Sequence, residues 1–302
     1  MQPNPPDRSP RAPGRAPVRS RLIRRCRAVT LCAALLAGVP AGPLHAQPCA
    51  ELPAERMVSD GRSGCLAVVP VAPPTGADPP PRVLVVMIHG DRTGSLEQRH
   101  VDRWVEVGRA LQADDRRALL LIRPGYRTPA GDSSGWANPR DDDYTAENTA
   151  RVAGALAALR QTLRPQRIVL VGHSGGAATA ALVLGRHPGA ADAALLLGCP
   201  CDVPPWRDHR NLQRGGFDRA WSHSLNPLAF VSGIVAATPV HVATGARDDN
   251  TLSRFAMRWV ERAAARGVAA AFEEVPGHDH GSILRWDGVA QRVQALIAAL
   301  PD

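Results

Sequence analysis

The sequence predicts an α/β fold: a mostly parallel central sheet with helices on both faces. Two observations carry it. Short apolar runs rich in β-branched residues recur along the chain, and segments of helical period separate them. One run, 167–171, passes through Gly172-His173-Ser174-Gly175-Gly176 into the small residues of 177–181. That reads as strand, sharp turn and helix, with a serine at the apex of a Gly-x-Ser-x-Gly turn.

The elements follow in chain order. A strand at 65–69 precedes a Pro-rich connection, 71–81. Residues 82–88 (RVLVVMI) form the continuous apolar run expected of a parallel strand buried on both faces. Val101, Trp104, Val105, Val107 and Leu111 place a helix over 97–113. A strand at 118–122 leads into a long polar loop, 123–144. A helix follows at 145–163, with Thr145 or Asp143 near its cap. The strand at 167–171, a helix at 175–187 and a strand at 193–197 come next. Residues 199–234 break the rhythm with Pro, Trp206, Trp221, Phe217, Phe230 and several Arg. Alternation resumes with a strand at 240–244, a helix at 250–266, a strand at 268–275 and a helix at 287–299.

The N-terminal segment accounts for the charge. Residues 1–46 hold eight Arg and one Asp, out of a whole-chain net charge of +8. The remaining residues carry 28 Arg against 27 acids, so nothing points to nucleic acid as a partner. Residues 1–27 are rich in Arg and Pro, 28–38 are apolar, and Leu44-His45-Ala46 offers a small-residue cut before Gln47. This is the pattern of a secretory signal peptide over 1–46, which leaves one domain over 47–302 in the periplasm or secreted. The apolar run is too short for a stable membrane span, so none is expected after signal cleavage; an uncleaved anchor is the alternative.

Cys49, Cys65, Cys199 and Cys201 remain beyond that segment. An even count in an exported chain implies disulfides, and of three possible pairings Cys49–Cys65 with Cys199–Cys201 is favoured. The cysteines lack paired Cys-x-x-Cys spacing, and no metal or organic cofactor is implied.

The chemistry-bearing residues stand at strand ends. Ser174 tops the turn after 167–171. The strand at 240–244 ends in Gly245-Ala-Arg-Asp248-Asp249, and a carboxylate there can accept a hydrogen bond from an imidazole. Asp248 is the favoured acid and Asp249 the runner-up. The loop after 268–275 carries Gly277-His278-Asp279-His280-Gly281, with His280 favoured as base and His278 the runner-up. His89-Gly90-Asp91 ends the strand at 82–88.

Serine, then acid, then histidine is the chain order of the α/β-hydrolase superfamily, and the sequence resembles it over most of 60–300. The helix–strand rhythm is similar to that of dienelactone-hydrolase and prolyl-oligopeptidase catalytic domains. The resemblance implies an α/β-hydrolase fold and a Ser174–His280–Asp248 triad. It implies an oxyanion hole formed by the Asp91 and Gly175 amides, and a small cap insertion at about 199–234. The cap's aromatics could line a pocket, and Arg207, Arg210 and Arg214 could pair a substrate carboxylate or simply be solvated. The expected activity is cleavage of a small-molecule carboxylic ester through an acyl-serine. Cleavage of a short peptide, acyl transfer to another acceptor, and an inactive binding protein on the same fold are the alternatives. The sequence leaves the oligomeric state open.

Overall fold

In the computed structural model the described residues are Cys49, 56–72, 79–138, 143–215 and 222–301. The proposed signal segment, Phe217 and Trp221 lie outside them.

The described residues include ten strands: β1 (Met57–Ser59), β2 (Cys65–Pro70), β3 (Val83–Ile88), β4 (Arg116–Leu121), β5 (Arg127–Thr128), β6 (Gly131–Asp132), β7 (Arg167–His173), β8 (Ala193–Leu197), β9 (Val240–Gly245) and β10 (Ala270–Val275). Eight of them form one sheet in the order β1-β2-β4-β3-β7-β8-β9-β10. From β4 to β10 all neighbours are parallel, while β2 meets β4 and β1 meets β2 antiparallel. The helices are α1 (Gln98–Leu111), α2 (Ala146–Leu163), α3 (Gly175–Arg186), α4 (Val203–Gln213), α5 (Ser253–Ala264) and α6 (Gly288–Ala298). No described helix is long and apolar enough to cross a membrane.

The continuous apolar strands divide their side chains between two cores, as the alternation of a pleated strand requires. Leu84, Val86 and Ile88 of β3 pack with Val152 and Leu156 of α2, Ala180 of α3 and Trp259 of α5. Val83, Val85 and Met87 face the other side, with Val101 and Trp104 of α1 and Val293 and Leu296 of α6. The helix after the serine is buried along its length from Gly175 to Gly185. It lies against the sheet on one side, and on another a 3-10 turn, Pro227–Gly233, brings Phe230 so close that a Cβ on Gly185 would collide with it. This double cover is why the sequence there is Gly, Ala and Thr rather than a polar–apolar stripe.

Two elements differ from the sequence expectation. The polar loop 123–144 contains a small hairpin of β5 and β6, held by Ser133, whose hydroxyl donates to Ile122 O and accepts from Ala67 N. The described residues of 199–234 include α4 and the 3-10 turn. Thr145 caps α2, accepting from Asn148 N at 3.1 Å, whereas Asp143 is turned inward to an arginine.

Cys49 pairs with Cys65 and Cys199 with Cys201, with Cα–Cα separations of 5.7 and 5.1 Å. The first bond ties the chain N-terminal to β1 onto the start of β2. Closing a loop of about 15 residues is worth about 3 kcal/mol in the chain-entropy model. We expect the double substitution Cys49→Ser, Cys65→Ser to lower the unfolding free energy by roughly that amount, read from urea titrations with and without reductant.

Candidate active site

Backbone crowding builds the turn at Ser174. Its φ of 54° and ψ of −123° lie where a side-chain-bearing residue is strained. The strain is held in place by contacts on each side. A Cβ on Gly172 would collide with the Gly176 carbonyl and Ala177, and one on Gly176 with the carbonyl of Ile88 at the end of β3. Ser174 N donates to Leu197 O at the end of β8 (2.8 Å), and Ser174 O accepts from Ala177 N and Ala178 N, starting α3. Strands β3, β7 and β8 thus converge on one residue.

His280 Nε2 lies 3.0 Å from Ser174 Oγ, and His280 Nδ1 lies 2.9 Å from Asp248 Oδ2. The Asp248 carboxylate is buried and fully engaged. Oδ1 accepts from Asn250 N and Thr251 N, and Oδ2 accepts from Thr251 Oγ1 and His280. Burial alone would raise its pKa, but the His280 hydrogen bond and charge, with Thr251, hold it below the ordinary carboxylate value. An ionised acceptor requires Nδ1 to carry the proton, which leaves Nε2 as an acceptor facing the serine hydroxyl.

The runner-up residues do other work. His278 Nδ1 donates to Ser282 O, away from Ser174. Asp249 offers its backbone carbonyl to α4, accepting from His209 Nε2 (2.7 Å) and Gln213 Nε2 (2.9 Å). Trp206 Nε1 of the same helix donates to Asn250 Oδ1. The two Asp248 oxygens face different ways: Oδ2 meets His280, while Oδ1 holds the Asn250 and Thr251 amides of the turn ahead of α5.

Asp91 and Gly175 are neighbours: the Asp91 carboxylate packs where a Gly175 Cβ would stand, and a Gly90 Cβ would lie 3.0 Å from Ser174 Cβ. Neither the Asp91 nor the Gly175 amide has an acceptor among the described residues. The Asp91 side chain is held back by groups the sequence did not single out. Arg123 Nη1 donates to Asp91 Oδ1 (2.6 Å), Arg123 Nη2 to Asp143 Oδ1 (2.7 Å), and Tyr144 Oη to Asp91 Oδ2 (2.5 Å). Arg123 sits against the Tyr126 and Tyr144 rings, 5.1 and 5.5 Å from their centroids. Burial opposes its charge, but Asp143, Tyr126 and Asp91 keep it above the ordinary arginine value.

Two buried histidines brace the site. Arg123 N donates to His89 Nε2 (3.0 Å) and His89 Nδ1 donates to Gly90 O, fixing the turn before Asp91. His173 Nε2 donates to the backbone carbonyl of His280 (2.7 Å), and its ring lies 4.9 Å from the His280 ring. Burial lowers both from 6.5 to about 3, assisted by Arg123 for His89 and by His280 for His173.

A cleft of about 490 Å³ opens onto Ser174 and His280. Residues on α1 and the loop before it line it, as do Trp206, Arg207, Arg210 and Arg214. Arg207 is 6 % exposed and so is no solvated surface arginine. No group of three or more His, Cys, Asp or Glu among the described residues is placed to hold a metal ion.

The family model described as the alpha/beta hydrolase fold matches residues 83–282. This chain is an α/β hydrolase. Est1E from Butyrivibrio proteoclasticus, solved with ferulic acid bound, aligns over 80 % of this α/β hydrolase and 99 % of its own chain, at 19 % identity and a TM-score of 0.60. An esterase of Pyrococcus furiosus aligns over 81 % and 89 % at 14 % identity and a TM-score of 0.60. A puromycin-hydrolyzing peptidase of Mycobacterium tuberculosis aligns over 81 % of this α/β hydrolase but 39 % of its own chain, at 19 % identity and a TM-score of 0.58. No curated protein matches in sequence.

Two outcomes follow from the buried charges. His89 and His173 have folded-state pKa values depressed to about 3, so the unfolded chain binds more protons at any pH between there and 6.5. The stability they contribute is present above pH 6.5 and lost as pH falls towards 3. Urea midpoints measured across that window should fall with decreasing pH. Arg123→Met leaves Asp91 and Asp143 without their counter-charge in a buried setting. It should cost about 3–5 kcal/mol in the same assay, while Arg127→Met, at an exposed pair, costs under about 1.

Proposed function

We propose that this chain is an exported serine hydrolase that cleaves a carboxylic ester through an acyl-serine intermediate. The observation that carries the reading is the line from Ser174 Oγ through the His280 ring to Asp248, 3.0 and 2.9 Å at its two hydrogen bonds. His280 Nε2 takes the hydroxyl proton as Ser174 attacks the carbonyl carbon. Asp248 stabilises the imidazolium that results. The Asp91 and Gly175 amides receive the oxyanion, aided by the N-terminal end of α3. His280 returns the proton to the leaving alkoxide, and water repeats the sequence to release the acid. Segment 199–234 acts as a small cap, since its α4 arginines and Trp206 line the cleft. The two cystine pairs support an oxidising compartment, which fits export after cleavage of 1–46.

Ester cleavage is favoured because esterases stand among the structural neighbours over nearly their whole length. The peptidase neighbour keeps amide cleavage as the second reading.

A fluorescent fluorophosphonate should label the protein, and labelling should vanish in Ser174→Ala and His280→Ala. Asp248→Asn should lower kcat by about 10⁴-fold through the wrong imidazole tautomer. Absence of labelling in folded wild type would sink the reading. Short-chain p-nitrophenyl esters beside aminoacyl-4-nitroanilides then separate ester from amide preference.

A further inference from the structure

The cleft over Ser174 is cationic to a degree that the rest of the chain is not. Among the described residues five arginines line it, Arg92, Arg103, Arg207, Arg210 and Arg214, and the single lining carboxylate is Asp91. Asp91 is already engaged by Arg123 and Tyr144. Beyond residue 46 the sequence is almost balanced, 28 Arg against 27 acids, so this concentration does not follow from composition. Arg92, Arg103 and Arg210 form no ion pair with a carboxylate among the described residues.

The arginines come from two directions. Arg207, Arg210 and Arg214 are spaced three and four apart, which puts them on one face of α4 and its C-terminal end. Arg92 follows the Asp91 turn, and Arg103 lies on α1 beside Trp104. Like charges held in one cleft repel each other. Burial first, and then Arg214, lower the Arg210 pKa against the pull of Asp249 and Asp248, and burial, Arg92 and Arg99 lower that of His100 against Glu97. An anion entering the cleft relieves that repulsion, and guanidinium forks match carboxylate and phosphate oxygens two at a time. Leu96, Trp104, Trp206 and Leu284 give the same cleft an apolar lining for a carbon chain.

Resting on the serine-hydrolase reading, we infer that the Arg103–Arg210 cleft is an anion subsite. It selects esters that carry a fixed carboxylate or phosphate away from the scissile bond.

The test compares p-nitrophenyl glutarate monoester with p-nitrophenyl pentanoate, which has the same acyl length without the terminal carboxylate. At low ionic strength kcat/KM for the anionic ester should exceed that for the neutral one by at least about tenfold. The ratio should fall several-fold at 0.5 M salt. Arg103→Gln and Arg210→Gln should each cut the ratio by about tenfold, and Arg210→Lys should keep most of it. In parallel, glutarate and inorganic phosphate are titrated as protectants against fluorophosphonate labelling of Ser174, which reads the subsite without turnover and separates the two anion types. Protection in wild type that weakens in the Gln variants supports the inference. Equal rates for the two esters, or labelling that neither anion slows, overturn it while leaving the serine-hydrolase reading intact. Failure of labelling itself overturns that reading; calorimetric titration of glutarate and phosphate then decides the subsite, and no binding rejects it.

Discussion

The site depends on one crowded crossing of backbones. Between β7 and α3 the chain reverses within a few residues, the end of β3 and the start of α3 leave no volume there for side chains, and the end of β8 holds Ser174 N. Ser174 is therefore forced into a left-handed backbone that it would not choose. The enclosing sheet meets the cost of that strain, because relaxing φ at Ser174 would break the contacts of Gly172 and Gly176 together. The backbone held this way fixes the Cα–Cβ direction of Ser174, and His280 meets the hydroxyl there.

The second constraint is electrostatic. A carboxylate packed over the start of α3, beside the two amides proposed to receive the oxyanion, would work against stabilising that charge. Arg123 offsets this, since it binds Asp91 and Asp143 together between two tyrosine rings. The same arginine's backbone amide fixes His89, so the neutralising group and the support of the Gly90 turn share one residue. Buried ion pairs give little net stability, and this one is better understood as fixing the position of Asp91.

What the sequence revealed and what it hid have different physical origins. Ser174, Asp248 and His280 were legible because each stands at a strand end, where a glycine turn marks the geometry locally. The central strands were legible because burial on both faces leaves a continuous apolar run. Arg123 and Tyr144 were not, because their shared partner Asp91 lies 32 and 53 residues away, and Thr251 was not, because a threonine three residues after an acid carries no mark of its own. Arg123 opens a polar stretch that reads as a solvated loop, and its acids lie 32 residues before and 20 after it. Strand β1 was missed for a related reason: three residues at a sheet edge, with Val58 alone buried, are too few to carry a pattern. Segment 199–234 was recognised as an interruption, but its proline-rich start masked α4, where Pro204 and Pro205 occupy the first turn that tolerates them.

Helix α4 touches the acid loop at three points: His209 and Gln213 hold the Asp249 carbonyl, and Trp206 holds the Asn250 side chain. Asp248 sits one residue away and grips Asn250 and Thr251 through its own oxygens. The α4 wall of the cleft and the carboxylate bonded to His280 therefore belong to one mechanical unit. A shift of α4 is not confined to the wall; hydrogen bonds through Asn250 lead on to the carboxylate. On the proposed reading, fit at one end of the cleft and alignment at the other behave as a single variable, so reshaping α4 to admit a new molecule also retunes Asp248 and His280 beneath it.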